Sequence, residues 1–86
     1  MINPGDLVKI SHRFYKGIIG HSPLMKDEIS RPAIIIPGNS VMLYLGFDGP
    51  WSDIKMQNMA RVMWGEQEMV VVEGCIIPVD EYEQHP

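Results

Sequence analysis

Cys75 is the only cysteine among 86 residues, so no intrachain disulfide can form and nothing calls for an oxidising compartment. The three histidines, His12, His21 and His85, have no second His or Cys at metal-ligand spacing, which excludes the usual zinc patterns. No apolar run approaches the roughly 18 residues that would span a bilayer. The opening Met1-Ile2-Asn3-Pro4-Gly5-Asp6 lacks the basic-then-apolar pattern of a secretion signal, so a cytoplasmic protein is expected. Neither a Walker loop nor a dinucleotide glycine fingerprint occurs, and no serine elbow surrounds Ser11, Ser22, Ser30, Ser40 or Ser52. These absences leave no cofactor to expect and little for catalysis.

Basic charge is also scarce. The net charge is −4, with seven Lys and Arg against eleven Asp and Glu. The split is uneven: residues 1–31 carry five cations and three anions, and residues 32–86 carry two and eight. Phosphate neutralisation supplies most non-specific affinity for nucleic acid, so an acidic total disfavours a duplex binder and leaves room only for a local basic patch.

What is present is apolar and turn-rich. Hydrophobic residues make up 45% of the chain, ordinary for one globular domain over residues 1–86. A chain this short buries roughly 60–65% of its unfolded surface, which leaves little room for a deep pocket. Strand patterns recur between turn residues, which predicts an all-β sandwich or barrel. Val8 and Ile10 alternate with Lys9 after Pro4-Gly5. Gly17-Ile18-Ile19-Gly20 gives a second strand, and residues 21–32, broken by Pro23 and Pro32, read as a loop. Ala33–Ile36 and Val41–Phe47 flank Pro37-Gly38-Asn39-Ser40, which predicts a hairpin around a type II turn. In its longer strand Val41, Leu43, Leu45 and Phe47 share one face, and Met42 and Tyr44 the other.

Asp48-Gly49-Pro50-Trp51 reads as a turn. Residues 53–64 are ambiguous, because Met56, Met59, Ala60 and Met63 form a helical stripe while Val62 and Trp64 alternate as in a strand. A loop or single helical turn near 53–58 followed by a strand at about 60–64 is the reading adopted. Met69–Val72 then returns antiparallel, Glu73-Gly74-Cys75 turns, and Ile76–Val79 forms a short last strand before a polar tail, residues 82–86. The core expected from these patterns is Val8, Ile10, Ile18, Leu43, Leu45, Val62, Trp64, Val71 and Ile77.

The first strands, Pro4–Ile10 and Gly17–Gly20, and the closing hairpin from Val62-Met63-Trp64-Gly65 to Val79 resemble the SH3-like barrels of the KOW-containing and tailed-phage type. The resemblance implies a small barrel of about five or more strands, with residues 21–58 as a long central loop or hairpin insertion outside the match. It implies an accessory protein of host cytoplasm or virion. The hairpin turn Gly65-Glu66-Gln67-Glu68 is acidic, which weighs against the nucleic-acid role found among KOW proteins.

The expected function is therefore non-catalytic: an interaction or structural module with a protein partner or with itself. Exposed aromatics are common interface anchors, so Phe14, Tyr15 and Trp51 are the candidate binding residues. The edge-forming segment Ala33–Ile36 is a candidate for self-association. The alternative is a nucleic-acid-binding module using Lys9, Arg13 and Lys16, where cations alternate with aromatics. Asp48 and Asp53, converging beside Trp51, are a distant third, a hydrolase pair. Cys75 reads as a buried structural thiol. Seven methionines suggest an adaptable contact surface, but Met56, Met59, Met63 and Met69 fit core filling, ahead of a subunit contact.

Overall fold

A computed structural model describes residues 2–22, 33–51 and 56–81, with Trp51 described by its backbone alone. Seven strands follow in order: β1 (Leu7–Ile10), β2 (Ile18–His21), β3 (Ala33–Ile36), β4 (Val41–Trp51), β5 (Gln57–Trp64), β6 (Gln67–Val72) and β7 (Ile76–Pro78). Short 3-10 turns at His12–Phe14 and Glu73–Cys75 join β1 to β2 and β6 to β7. The strands form one antiparallel sheet in the order β3-β2-β6-β5-β4-β1-β7, curled into a half-barrel. The all-β expectation holds. Among the described residues no helix is long and apolar enough to cross a membrane.

The strands fold as their patterns dictate, with alternate side chains turned to opposite faces. Val8 and Ile10 of β1, Met42 and Tyr44 of β4, Val62 of β5, and Met69 and Val71 of β6 are buried together on the inner face with Ile18 and Ile36. Ile76 closes this cluster from β7. A full burial of this kind stabilises by about 1.5–3 kcal/mol per large apolar side chain. Met59 and Val70, with Val72 against them, form a second small cluster. Of the four methionines expected to fill the core, Met59 and Met69 do, Met63 is half-buried and Met56 is exposed, while Met42 is buried as well.

Several local expectations are overturned. Ala33–Ile36 and Val41–Phe47 do not pair: β3 pairs with β2, Ile18 opposite Ile36 and His21 opposite Ala33, while β4 lies between β5 and β1. Within residues 21–58 both expected strands are present, as β3 and β4, in one sheet with the rest. The turn is shifted as well, since the Ser40 amide donates to the Pro37 carbonyl and Gly38 has no positive φ, so it is not a type II turn. Asp48–Trp51 is no turn but the end of β4, which bends through register shifts at Tyr44/Gly46 and Phe47/Gly49.

The inner face of β4 is the Met42/Tyr44 face. Leu43 is exposed, Leu45, Trp64 and Ile77 are only half-buried, and Tyr44 and Ile76 occupy the core in place of Leu45 and Ile77. Gln57 and Asn58 already belong to β5, so no helical turn occupies them, and residues 52–55 lie outside the described residues. From Met59 to Trp64 the strand reading is correct, each residue facing β6 in register.

Candidate surface around the first 3-10 turn

Ser11 fixes the turn that carries the sequence's basic and aromatic residues. It is buried, and its amide donates to the Cys75 carbonyl at 2.9 Å, tying the end of β1 to the second 3-10 turn. Its Oγ accepts from the Arg13 amide at 3.5 Å, and its carbonyl accepts from the Phe14 amide at 2.9 Å. Such local capping is what serine favours at the start of a helical turn. The Gly17 amide then donates to the Phe14 carbonyl at 2.8 Å and ends it.

Two glycines let this turn seat against β3 and the following connection. Gly17 has φ +110° and lies so close to the Ile36 carbonyl that a Cβ would meet it at 2.5 Å. A Cβ on Gly38 would run into the Tyr15 carbonyl. Backbone approaches backbone at both points, which only glycine permits.

The result is an apolar cleft of about 250 Å³ lined by Phe14, Gly17, Ile18, Ile19, His21, Val72 and Cys75. Phe14 also packs against the main core, so it is a wall of the cleft rather than a free anchor. Tyr15 beside it is 72% exposed. Ile19 is 50% exposed and stands opposite Ile35 of β3, which is 62% exposed, so an apolar stripe runs from the cleft to the sheet edge.

The basic residues divide. Arg13 and Lys16 are exposed on the turn, with the Arg13 guanidinium carbon 6.0 Å from the Phe14 ring centre and the Lys16 ammonium 5.9 Å from that of Tyr15. Both lie at the outer limit of a cation–π contact. Lys9 is half-buried on β1 between Val41 of β4 and Ile77 of β7, so it stands on the strand and not on the turn. Trp51 pairs with Gln57 through its backbone, and its side chain lies outside the described residues.

Comparison with known protein families, curated proteins and solved structures finds no match. The chemistry of the surface must be read from its own residues. Burial pushes the Cys75 thiol above its ordinary 9.0, an effect the nearby Arg13 charge partly opposes. The thiol therefore stays protonated at neutral pH and lacks the thiolate that nucleophilic chemistry needs. Asp48 is spoken for: its Oδ1 accepts from Arg61 Nη2 at 2.8 Å, and Arg61 Nη1 lies 3.1 Å from Glu68 Oε2. Arg61 thus bridges β4 and β6 across β5, which gives Asp48 a structural partner, and Asp53 lies outside the described residues. Among the described residues no cluster of three His, Cys, Asp or Glu could hold a metal ion.

The sequence points to Phe14 and Tyr15, and to Ile35 within the edge segment Ala33–Ile36, but not to Ile19, His21 or Val72. The available signal was the paired isoleucines at 18–19 and the run at 34–36. Consecutive apolar residues in a strand put one of each pair on the opposite face.

Proposed function

We propose that this chain is a non-catalytic protein-interaction module on an SH3-like barrel scaffold, as the resemblance of its first and last strands implies. Its contact surface is the cleft walled by Phe14 and Ile19, together with exposed Tyr15, the residue after Phe14 in the chain. The observation that carries the reading is the exposed pair Ile19 and Ile35, facing each other across β2 and β3 beside an apolar cleft, with exposed Tyr15 on the adjoining turn. Monomeric proteins rarely leave such a contiguous patch uncovered, and aromatics on a fixed turn suit an anchor. By the same resemblance its setting is the host cytoplasm or virion of a tailed phage. Capture from native lysate, with bound proteins identified, tests the reading. A partner held by the natural chain and lost with Tyr15→Ala or Ile19→Asp supports it, and capture unchanged by both substitutions overturns it.

The second reading, a nucleic-acid module, draws on Arg13 and Lys16 sharing one exposed turn with two aromatic rings. Single-stranded nucleic acid is held by such alternation of cations and stacking surfaces. Binding of a labelled single-stranded oligonucleotide that falls steeply with salt, and disappears with Arg13→Gln and Lys16→Gln together, would favour it. No binding at low ionic strength removes it.

A further inference from the structure

We infer that β3 pairs antiparallel with β3 of a second copy of this chain, joining two half-barrels into one continuous sheet about a two-fold axis at Ile35. The inference rests on the interaction-module reading and names its partner.

The sheet is open, and its linear order gives β3 a neighbour on one side only. Among the described residues no strand lies along its other side. An exposed edge offers a row of backbone donors and acceptors whose natural complement is another extended strand. Edges that must stay single are shortened, charged, bulged or interrupted by proline. β7 shows two of these devices: it has three residues and ends on Pro78, which has no N–H to give. β3 shows neither charge nor proline in Ala33-Ile34-Ile35-Ile36, and its pairing with β2 runs in unbroken register.

The sequence of β3 favours its own copy over an unrelated strand. In an antiparallel pair about Ile35, Ile35 faces Ile35 of the partner and Ile34 faces Ile36 of the partner, so the central pairs are all isoleucine. Facing residues in an antiparallel sheet share a face, and β-branched pairs are favourable there. Ile19 already stands opposite Ile35 within one copy, and both are exposed. Pairing therefore builds a row of four isoleucines across four strands. Charge permits the match: neither β3 nor Ile18–Gly20 of β2 carries any, although the chain as a whole is at −4. The strand is also held ready, because Gly17 and Gly38 lock its C-terminal end against the first 3-10 turn, which lowers the entropy lost on docking.

Sedimentation of the full chain over a concentration series, together with cross-linking, tests the inference. The natural chain is expected to form a concentration-dependent dimer, and Ile35→Lys, a substitution at an exposed site that opposes two like charges, is expected to leave a folded monomer by circular dichroism. In a Cys75→Ser background, Ile35→Cys should close a dimer disulfide under mild oxidation, since facing Cα atoms in such a pair are about 4.5–5.5 Å apart, within the span of a disulfide. Val41→Cys, exposed on β4, should not. A natural chain that stays monomeric up to millimolar concentration overturns the inference, as does a dimer that Ile35→Lys leaves intact or equal cross-linking from both cysteine positions. If the chain is a monomer that still captures a partner through Tyr15, the dimer fails and the interaction-module reading stands. If it dimerises through β3 and captures nothing, the inference stands, self-association is the whole of the interaction-module reading, and the Tyr15 cleft drops out of it.

Discussion

β7 and β3 terminate the same sheet in opposite ways. β7 is brief, ends on a proline, and rests on β1 with Ile76 buried in the core. β3 is an unbroken apolar strand that buries only Ile36 and turns Ile35 outward beside Ile19. One rim is closed by its own sequence, and the other depends on what comes next to it. The difference teaches that the two ends of one open sheet can be finished by quite different sequences, one guarding its backbone groups and the other leaving them bare.

The sharpest way to break the comparison is to empty the one buried position of β3. Ile36→Ala removes a fully buried side chain and should cost about 2–5 kcal/mol of stability, read by chemical denaturation. The same change at half-buried Ile77 of β7 should cost clearly less. An equal loss at both would show that the rims are not built differently.

The lock between β3 and the first 3-10 turn comes next. Gly38→Ala forces a methyl against the Tyr15 carbonyl and should cost about 1–3 kcal/mol, because backbone has to move. Gly74→Ala, where a Cβ meets nothing within 4 Å, is the control and should be close to neutral.

Arg61 tests whether the central strands hold together independently of either rim. Arg61→Met removes both of its carboxylate contacts and takes the counter-charge from the nearly buried Asp48, so the loss should be about 1–3 kcal/mol, of which only the share from partly exposed Glu68 should shrink as salt is raised. A loss that ignores salt altogether would point to Asp48 and to packing of the arginine stem instead.

The smallest effect concerns Tyr44, on the β4 side of the sheet. Burial, and then the charge of Glu73, raise its phenol above the ordinary 10.0. The unfolded chain ionises first, so the stabilising difference is complete below pH 10 and is lost as pH rises beyond it. Alkaline denaturation should therefore start near pH 10 and be blunted in Tyr44→Phe. An unchanged alkaline limb in that variant would remove the assignment.

The parts of this fold legible in the sequence are those where local pattern and true partner coincide. Met59–Trp64 and Met69–Val72 alternate on either side of one turn and pair across it. Val8 and Ile10 are buried for the same reason. The β3–β4 expectation failed because Pro37-Gly38-Asn39-Ser40 signals a turn without saying that its flanking strands pair. β3 returns to β2 instead, across residues 23–32. The face of β4 was misjudged because Val41, Leu43 and Leu45 are as apolar as Met42 and Tyr44, so hydrophobicity alone could not say which set turns inward, and choosing wrongly flips every side chain. At the candidate surface, Phe14 and Tyr15 were visible as aromatics in a polar turn. Ala33–Ile36 was visible as a candidate edge, but Ile19 was not, since its exposure beside Ile35 depends on a pairing that the sequence does not announce.

The short connection from Pro37 to Ser40 carries the chain from the β3 rim to β4, past the positions of β2, β6 and β5 in the sheet. This route bears on how the molecule folds. Successive strands cannot zip from one end to the other. β2 with β3, and β4 with β5 and β6, each close locally, and the two blocks join through the distant pair His21 and Val70. Joining them meets its loop-closure entropy before the contact rewards it, which places the chain among slow, millisecond-to-second β folders. If the β4–β6 block forms first, Val62→Ala will slow folding and Ile36→Ala will mainly speed unfolding in stopped-flow experiments. The reverse pattern would make the β2–β3 hairpin the seed.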